Sequence, residues 1–240
     1  MSWADRDSEL RGIIPSPNIW SAPQTYEIEN EAVDPDRIIE SAIGGLLPYA
    51  GIAVLDVGCG SGFHLPRLAD LGAAEVIGLE PHAPLAARAR ARIAGRERIA
   101  VLQASAEAVP LADGCVDLVH ARWAYFFGPG SDVGVDQARR VLRPGGVLAI
   151  IDNDATTSTF GRWFTRTHPL YDPVAIERYW RRLGFRRQQL LLRWAFRTRA
   201  DFEAVVRIEF PPDGAEAILA EHRGIEVDYA VNLWWWRRPS

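Results

Sequence analysis

One stretch constrains the fold more than any other: Val54-Leu55-Asp56-Val57-Gly58-Cys59-Gly60-Ser61-Gly62-Phe63. The apolar run from Ile52 to Val57 reads as a strand buried on both faces, the pattern of a parallel sheet. It breaks at a glycine-rich turn, and a helix-compatible segment, Leu65 to Leu71, follows. Glycines there allow a sharp turn and let a ligand lie against bare main chain. The helix after such a turn offers unpaired N–H groups to polar groups of that ligand. Together these features predict a nucleotide-type cofactor site. A dinucleotide fingerprint, G-x-G-x-x-G from Gly58, needs glycine at position 63, where Phe63 stands. The pattern present is D-x-G-x-G-x-G, with Asp56 two residues ahead of the first glycine.

The rest of the chain alternates strand and helix signals. Residues 1 to 30 carry Pro15, Pro17 and Pro23, which disfavour long regular elements. Yet Trp3, Ile13, Ile14, Ile19, Trp20 and Tyr26 are too apolar for a free tail. They predict an arm packed over the domain, either as a lid on the cofactor or for stability alone. Asp36 to Leu47 has a helical apolar stripe that Pro48 stops. Glu75 to Glu80 reads as strand two and ends in an acid, 18 residues beyond Gly62. Pro84 to Ala94 reads as a helix, Ile99 to Gln103 as strand three and Val116 to Ala121 as strand four. Gln137 to Leu142 is helical, Arg143-Pro144-Gly145-Gly146 is a turn, and Val147 to Ile151 is strand five. Later helices are expected at Val174 to Leu183, capped by Gly184, at Ala200 to Ile208 and at Ala215 to Glu221. Arg187 to Ala195 and Val227 to Trp236 read as closing strands.

Composition narrows the function classes. The net charge of −4 gives no global basic field for nucleic acid. Two cysteines, Cys59 and Cys115, supply no disulfide framework and favour a reducing cytosol. Met1 to Arg11 lacks the apolar core of a signal peptide, and no stretch approaches the roughly 20 apolar residues that span a bilayer. The expectation is a cytoplasmic protein without membrane partners. His64, His82, His120, His168 and His222 are scattered, with no metal-ligand spacing. Arginines 181, 182, 186, 187, 193, 197 and 199 are dense, and a solvated surface with Glu and Asp partners is their expected place.

Four features occur in order: the D-x-G-x-G-x-G turn, Glu80-Pro81, the segment Gln103 to Leu111, and Arg140-Val141-Leu142-Arg143-Pro144-Gly145-Gly146-Val147-Leu148. Over about residues 50 to 155 they resemble the class I, type 11-like methyltransferases that use S-adenosylmethionine. The resemblance implies an α/β, Rossmann-like, doubly wound and mostly parallel sheet of about seven strands, with a late antiparallel strand and a helical cap. It implies a single domain over 1–240: residues 1–30 as arm or lid, 31–155 as cofactor-binding core, and 156–240 as closing strands and substrate-cap helices. Cofactor contacts are expected from Tyr26, Asp56, Gly58, Cys59, Gly60 and Gly62. Glu80 with Pro81 is expected at the ribose hydroxyls. Ser105, Ala106 and Glu107 are expected near the adenine edge, Ser105 standing where the family's usual aspartate would be. Ala121 and Arg122 are expected at the methionine part. Tyr125 either lines the pocket or belongs to the core.

The activity implied is in-line methyl transfer from the sulfonium to a small-molecule acceptor. Positioning of that kind can supply roughly 7–11 kcal/mol of the barrier. No base is singled out among His120, His64, Tyr125 and Asp152. Two rivals stay open: a protein that holds S-adenosylmethionine without transferring methyl, and a nicotinamide-dependent oxidoreductase. Phe63 and the lack of a Tyr-x-x-x-Lys pair disfavour the latter.

Overall fold

The computed structural model describes residues 16–125 and 128–240. Its centre is a sheet of seven strands among the described residues, in the order β3-β2-β1-β4-β5-β7-β6. The strands are β1 (Ala53–Val57), β2 (Glu75–Leu79), β3 (Ile99–Leu102), β4 (Val116–Arg122), β5 (Leu142–Asn153), β6 (Arg186–Ala195) and β7 (Glu226–Arg237). β1 to β5 pair in parallel, and β7 runs antiparallel between β5 and β6. All five residues of β1 are buried, as the continuous apolar run requires of a strand covered on both faces. Apolar clusters lie on each side of the sheet, and Trp180, Trp194 and Trp234 are among the largest side chains wholly inside them.

The helices are α1 (Pro17–Ser21), α2 (Pro23–Ala32), α3 (Ile38–Leu46), α4 (Leu65–Asp70), α5 (Ala83–Arg92), α6 (Asp132–Val141), α7 (Thr159–Thr167), α8 (Pro173–Arg182), α9 (Arg199–Glu209) and α10 (Pro212–Glu221). Crossovers through α4 and α5 build the sheet from β1 outward to β3, and β4 then returns to the other side of β1. That reversal opens a crevice at the carboxyl ends of β1 and β4, where ligands bind in open sheets of this kind.

Three expectations need correction. Pro17 and Pro23 do not keep the arm irregular: each is the first residue of a helix, where the missing N–H costs nothing and the fixed φ suits the helix. The Arg143-Pro144-Gly145-Gly146 turn is not separate from strand five. It bulges within β5, so that Val116 pairs with Leu142 and Leu118 with Val147. Helix α7 was not anticipated; its run Thr159-Phe160-Gly161-Arg162-Trp163-Phe164 buries Phe160, Trp163 and Phe164 beneath β7. Trp3, Ile13, Ile14, Pro15 and the Met1 to Arg11 segment lie outside the described residues.

The dense arginines do find acidic partners: Arg181 meets Glu177, Arg187 meets Glu177 and Asp154, Arg193 meets Asp36 and Glu226, and Arg197 meets Glu31. Among the described residues no helix is long and apolar enough to cross a membrane.

Candidate functional site

The glycine turn is held from below by the end of β2. Gly58 N and Cys59 N both donate to Leu79 O, at 2.8 and 3.0 Å. Gly60 N donates to Glu80 Oε2 at 2.9 Å, and His82 N donates to Glu80 Oε1 at 2.8 Å. The N–H groups of Gly58, Cys59 and Gly60 are therefore already paired within the protein. The turn presents backbone surface, pre-shaped by Glu80. That carboxylate is 3% exposed, and burial raises its pKa against the two backbone donors. Each carboxylate oxygen keeps acceptor capacity beyond one bond, so the same group can brace the loop and receive hydroxyls.

A cleft opens over this turn. Its lining includes eleven of the thirteen expected cofactor residues: Tyr26, Asp56, Gly58, Cys59, Gly60, Glu80, Pro81, Ser105, Ala106, Glu107 and Arg122. Gly62 and Ala121 do not line it. A Cβ added at Gly62 would stand 3.0 Å from Ala89 Cβ, so this glycine exists to let α5 pack close. Ala121 is fully buried in β4 among the apolar side chains beneath the cleft. Ile19 and Trp20 of the arm and Trp123 of the aromatic run after β4 line it too, with Ser61 of the glycine turn. Asn30 and the stretch Pro129 to Ser131 were missed from the sequence; α2 and the loop after β4 place them there by long-range packing that no local pattern encodes.

The arm covers the turn directly. Trp20 stacks on His82 with ring centroids 4.2 Å apart. Ser61 Oγ donates to the Glu27 carboxylate, which also pairs with Arg92. A Cβ on Gly60, at φ +57, would stand 2.7 Å from Ile19 Cδ1.

The candidate bases separate by environment. His120 Nδ1 lies 2.7 Å from Asp56 Oδ1, both buried in the β1–β4 pairing, a satisfied core pair. Tyr125 is buried against Gly134, its hydroxyl donating to Gly134 O at 3.4 Å, and burial raises its pKa. It thus serves the core as well as the cleft wall. His64 is half-buried, and desolvation with the Arg122 charge holds its pKa well below the ordinary value; Arg122 Nη1 sits 3.3 Å from its Nδ1. Arg122 Nε is buried without a partner in the protein.

Asp152 lies in a second cavity of about 430 Å³ behind Trp123, and Ser16, Tyr26, Asn30 and Trp123 line both spaces. Asn153 builds the shared wall. Its Oδ1 accepts from Trp123 Nε1 at 2.8 Å and from the Tyr229 hydroxyl, while its carbonyl accepts from Tyr171 at 2.8 Å. Trp123 has φ +51, a conformation that costs a bulky residue about 1–3 kcal/mol and is kept only where neighbours impose it. Burial pushes the Asp152 carboxyl up to about 8, against a single backbone bond from Asn153 N.

Residues 55–150 match the family described as Methyltransferase domain. A tRNA U34 carboxymethyltransferase from Methylococcus capsulatus is 28% identical over 158 residues, 62% of this chain and 49% of that protein. A malonyl-[acyl-carrier protein] O-methyltransferase from Pectobacterium atrosepticum is 34% identical over 105 residues, 43% of this chain and 40% of its own length. The chain thus spans about half or less of these curated relatives. Among solved structures, the YcgJ protein of Bacillus subtilis aligns over 85% of this chain and 99% of its own, with TM-score 0.62 at 18% identity, a likeness of fold. The glycine turn after β1 and the acid ending β2 both fall within the matched stretch: residues 55–150 form a methyltransferase domain, for which S-adenosylmethionine is the cofactor.

Proposed function

We propose that the protein transfers the methyl group of S-adenosylmethionine to a small-molecule acceptor, by in-line displacement at the sulfonium carbon. The observation that carries this reading is the junction of two spaces. The cleft over the glycine turn and the second cavity share Ser16, Tyr26, Asn30 and Trp123, and residues of α2, α7 and α9 line the second. Cofactor in the first places its methyl toward an acceptor in the second. Glu80 receives the ribose hydroxyls, Ser105 to Glu107 face the base, and Arg122, with a buried unpartnered Nε, meets the methionine carboxylate. The whole chain acts as one unit: the arm closes the site, residues 31–155 hold the cofactor, and the late helices shape the acceptor cavity.

The names of some relatives point to tRNA, a macromolecular acceptor. A net charge of −4 and an acid-lined cavity disfavour it here. The test uses S-adenosylmethionine labelled in the methyl group, with the protein, unfractionated tRNA and a metabolite extract. Label is expected in the low-molecular-mass fraction. Label in tRNA would overturn the small-molecule reading, and bound cofactor with no label transferred anywhere would leave a binding protein.

A further inference from the structure

The second cavity holds carboxyl groups that the proposed methyl transfer does not use. Glu29 comes from α2, Asp152 from the end of β5 and Glu209 from the end of α9. Glu29 and Asp152 are buried and Glu209 is half-buried, and desolvation raises the pKa of each. Glu29 and Glu209 are hydrogen-bonded to each other, which with the Glu209 charge raises the Glu29 carboxyl further and partly offsets the rise at Glu209, and the Asn18 amide also donates to Glu209. Glu29 is 8% exposed, and its Oε2 has no hydrogen-bond partner among the described residues. Among the described residues no arginine, the chain's only basic residue besides histidine, lines this cavity. His168, which does line it, has its pKa lowered by burial. Elsewhere acids are paired with arginine again and again, as in Arg67–Glu40 and Arg187–Asp154.

Buried carboxylates without a cation are costly unless something arrives to pair with them. Around them stand aromatic rings: Trp123 and Tyr229 lie parallel with centroids 6.4 Å apart, and Tyr26 and Phe210 line the same space. Ring faces and carboxylates together select an organic cation and reject an anion.

Building on the methyl-transfer reading above, we propose that the acceptor is a small organic amine, bound as its ammonium between Glu29, Asp152 and Glu209 and methylated on that nitrogen. Asp152 keeps its own proton below about pH 8, so the ammonium first gives a proton to the ionised member of the Glu29–Glu209 pair, whose raised proton affinity suits the task near neutral pH. The freed lone pair then forms the C–N bond as the C–S bond breaks. The positive charge passes from sulfonium to the new ammonium, and the sulfur leaves as a neutral thioether. No oxidant, metal or further reactant is required.

Calorimetric titration of the full chain, saturated with S-adenosylhomocysteine, tests this directly. The probes are butylamine, cyclohexylamine and phenethylamine, each beside its matching alcohol and carboxylic acid. At least one amine is expected to bind about tenfold or more tightly than its alcohol, and no acid to bind. In the Glu29→Gln, Glu209→Gln double variant that preference should fall to about threefold or less, with S-adenosylhomocysteine affinity unchanged. Mass spectrometry should then find the N-methylated amine after incubation with S-adenosylmethionine. An alcohol or acid preferred over its amine, no amine bound, or an unchanged preference in the double variant would each overturn the ammonium site while leaving methyl transfer standing. The last result would mean that the two glutamates merely share a proton. Failure of the protein to bind S-adenosylhomocysteine would remove the underlying function, and this inference with it.

Discussion

Replacing Glu80 separates the role its carboxylate has in the structure, bracing the glycine turn, from the role proposed for it at the ribose. Its oxygens accept from Gly60 N and His82 N, and the cleft lies beside them. Glu80→Ala leaves two backbone donors without their partner and removes the acceptor for the ribose hydroxyls. A hydrogen bond to a charged group contributes about 1.5–3 kcal/mol, so loss of one ribose bond alone weakens cofactor binding about 10- to 150-fold. Affinity alone cannot tell a lost ribose contact from a loosened glycine turn. The distinction comes from repeating the titration with S-adenosylhomocysteine lacking the 2′-hydroxyl. In the natural protein, removing that hydroxyl should cost about tenfold or more; in Glu80→Ala it should cost almost nothing, because the partner has gone. If the hydroxyl costs the same in both proteins, Glu80 shapes the turn and does not touch the ribose. If Glu80→Ala binds S-adenosylhomocysteine as the natural protein does, the placement of the cofactor over this turn is wrong.

Three further outcomes follow from the same geometry. Gly60→Val should lower S-adenosylhomocysteine affinity about 100-fold or more while circular dichroism stays native, since the new side chain meets Ile19 and the cleft at a backbone φ of +57; near-native affinity would refute it. Proteolysis within residues 16–32 should slow markedly when S-adenosylhomocysteine is added, and an unchanged rate would reduce the arm to packing. Asp152→Asn should raise the melting temperature by an amount that depends on pH. The carboxyl is held at about 8 in the fold against 3.8 unfolded, so the folded form keeps a proton that the unfolded chain loses. Stability linked to Asp152 is therefore full below about pH 4 and falls as pH rises to about 8. The gain from the amide should grow across that window and level off above it; a pH-independent gain would contradict the buried, protonated acid.

Local patterns carried the sequence reading as far as local physics reaches. Asp56 to Gly62 and Glu80 were legible because a buried strand, a glycine turn and an acid at a strand tip are each written in a few adjacent residues. The prolines misled for a related reason: Pro17 forbids the interior of a helix but suits its first position, and only the path of the following residues decides which applies. Gly62 looked like a ligand contact because its spacing is the same whether a glycine admits a cofactor or, as here, the Ala89 backbone. The carboxyls of the second cavity were legible least. Glu29, Asp152 and Glu209 meet only because β5 and α9 end above the arm, and nothing near any one of them in the chain announces the others.

Helices α1 and α2 contribute to the walls of both cavities: Ile19 and Trp20 to the first, Asn18 and Glu29 to the second, and Tyr26 to each. If the arm is the proposed lid, one roof over two chambers imposes a sequence on traffic. The ligand against the glycine turn would then enter while the roof is raised, and its arrival would let Trp20 and Tyr26 settle to complete the chamber for the second. Steady-state kinetics should then be ordered, cofactor first and its demethylated product last, with turnover set by how often the roof lifts. A cell that lets demethylated cofactor accumulate would stall this protein with its door shut.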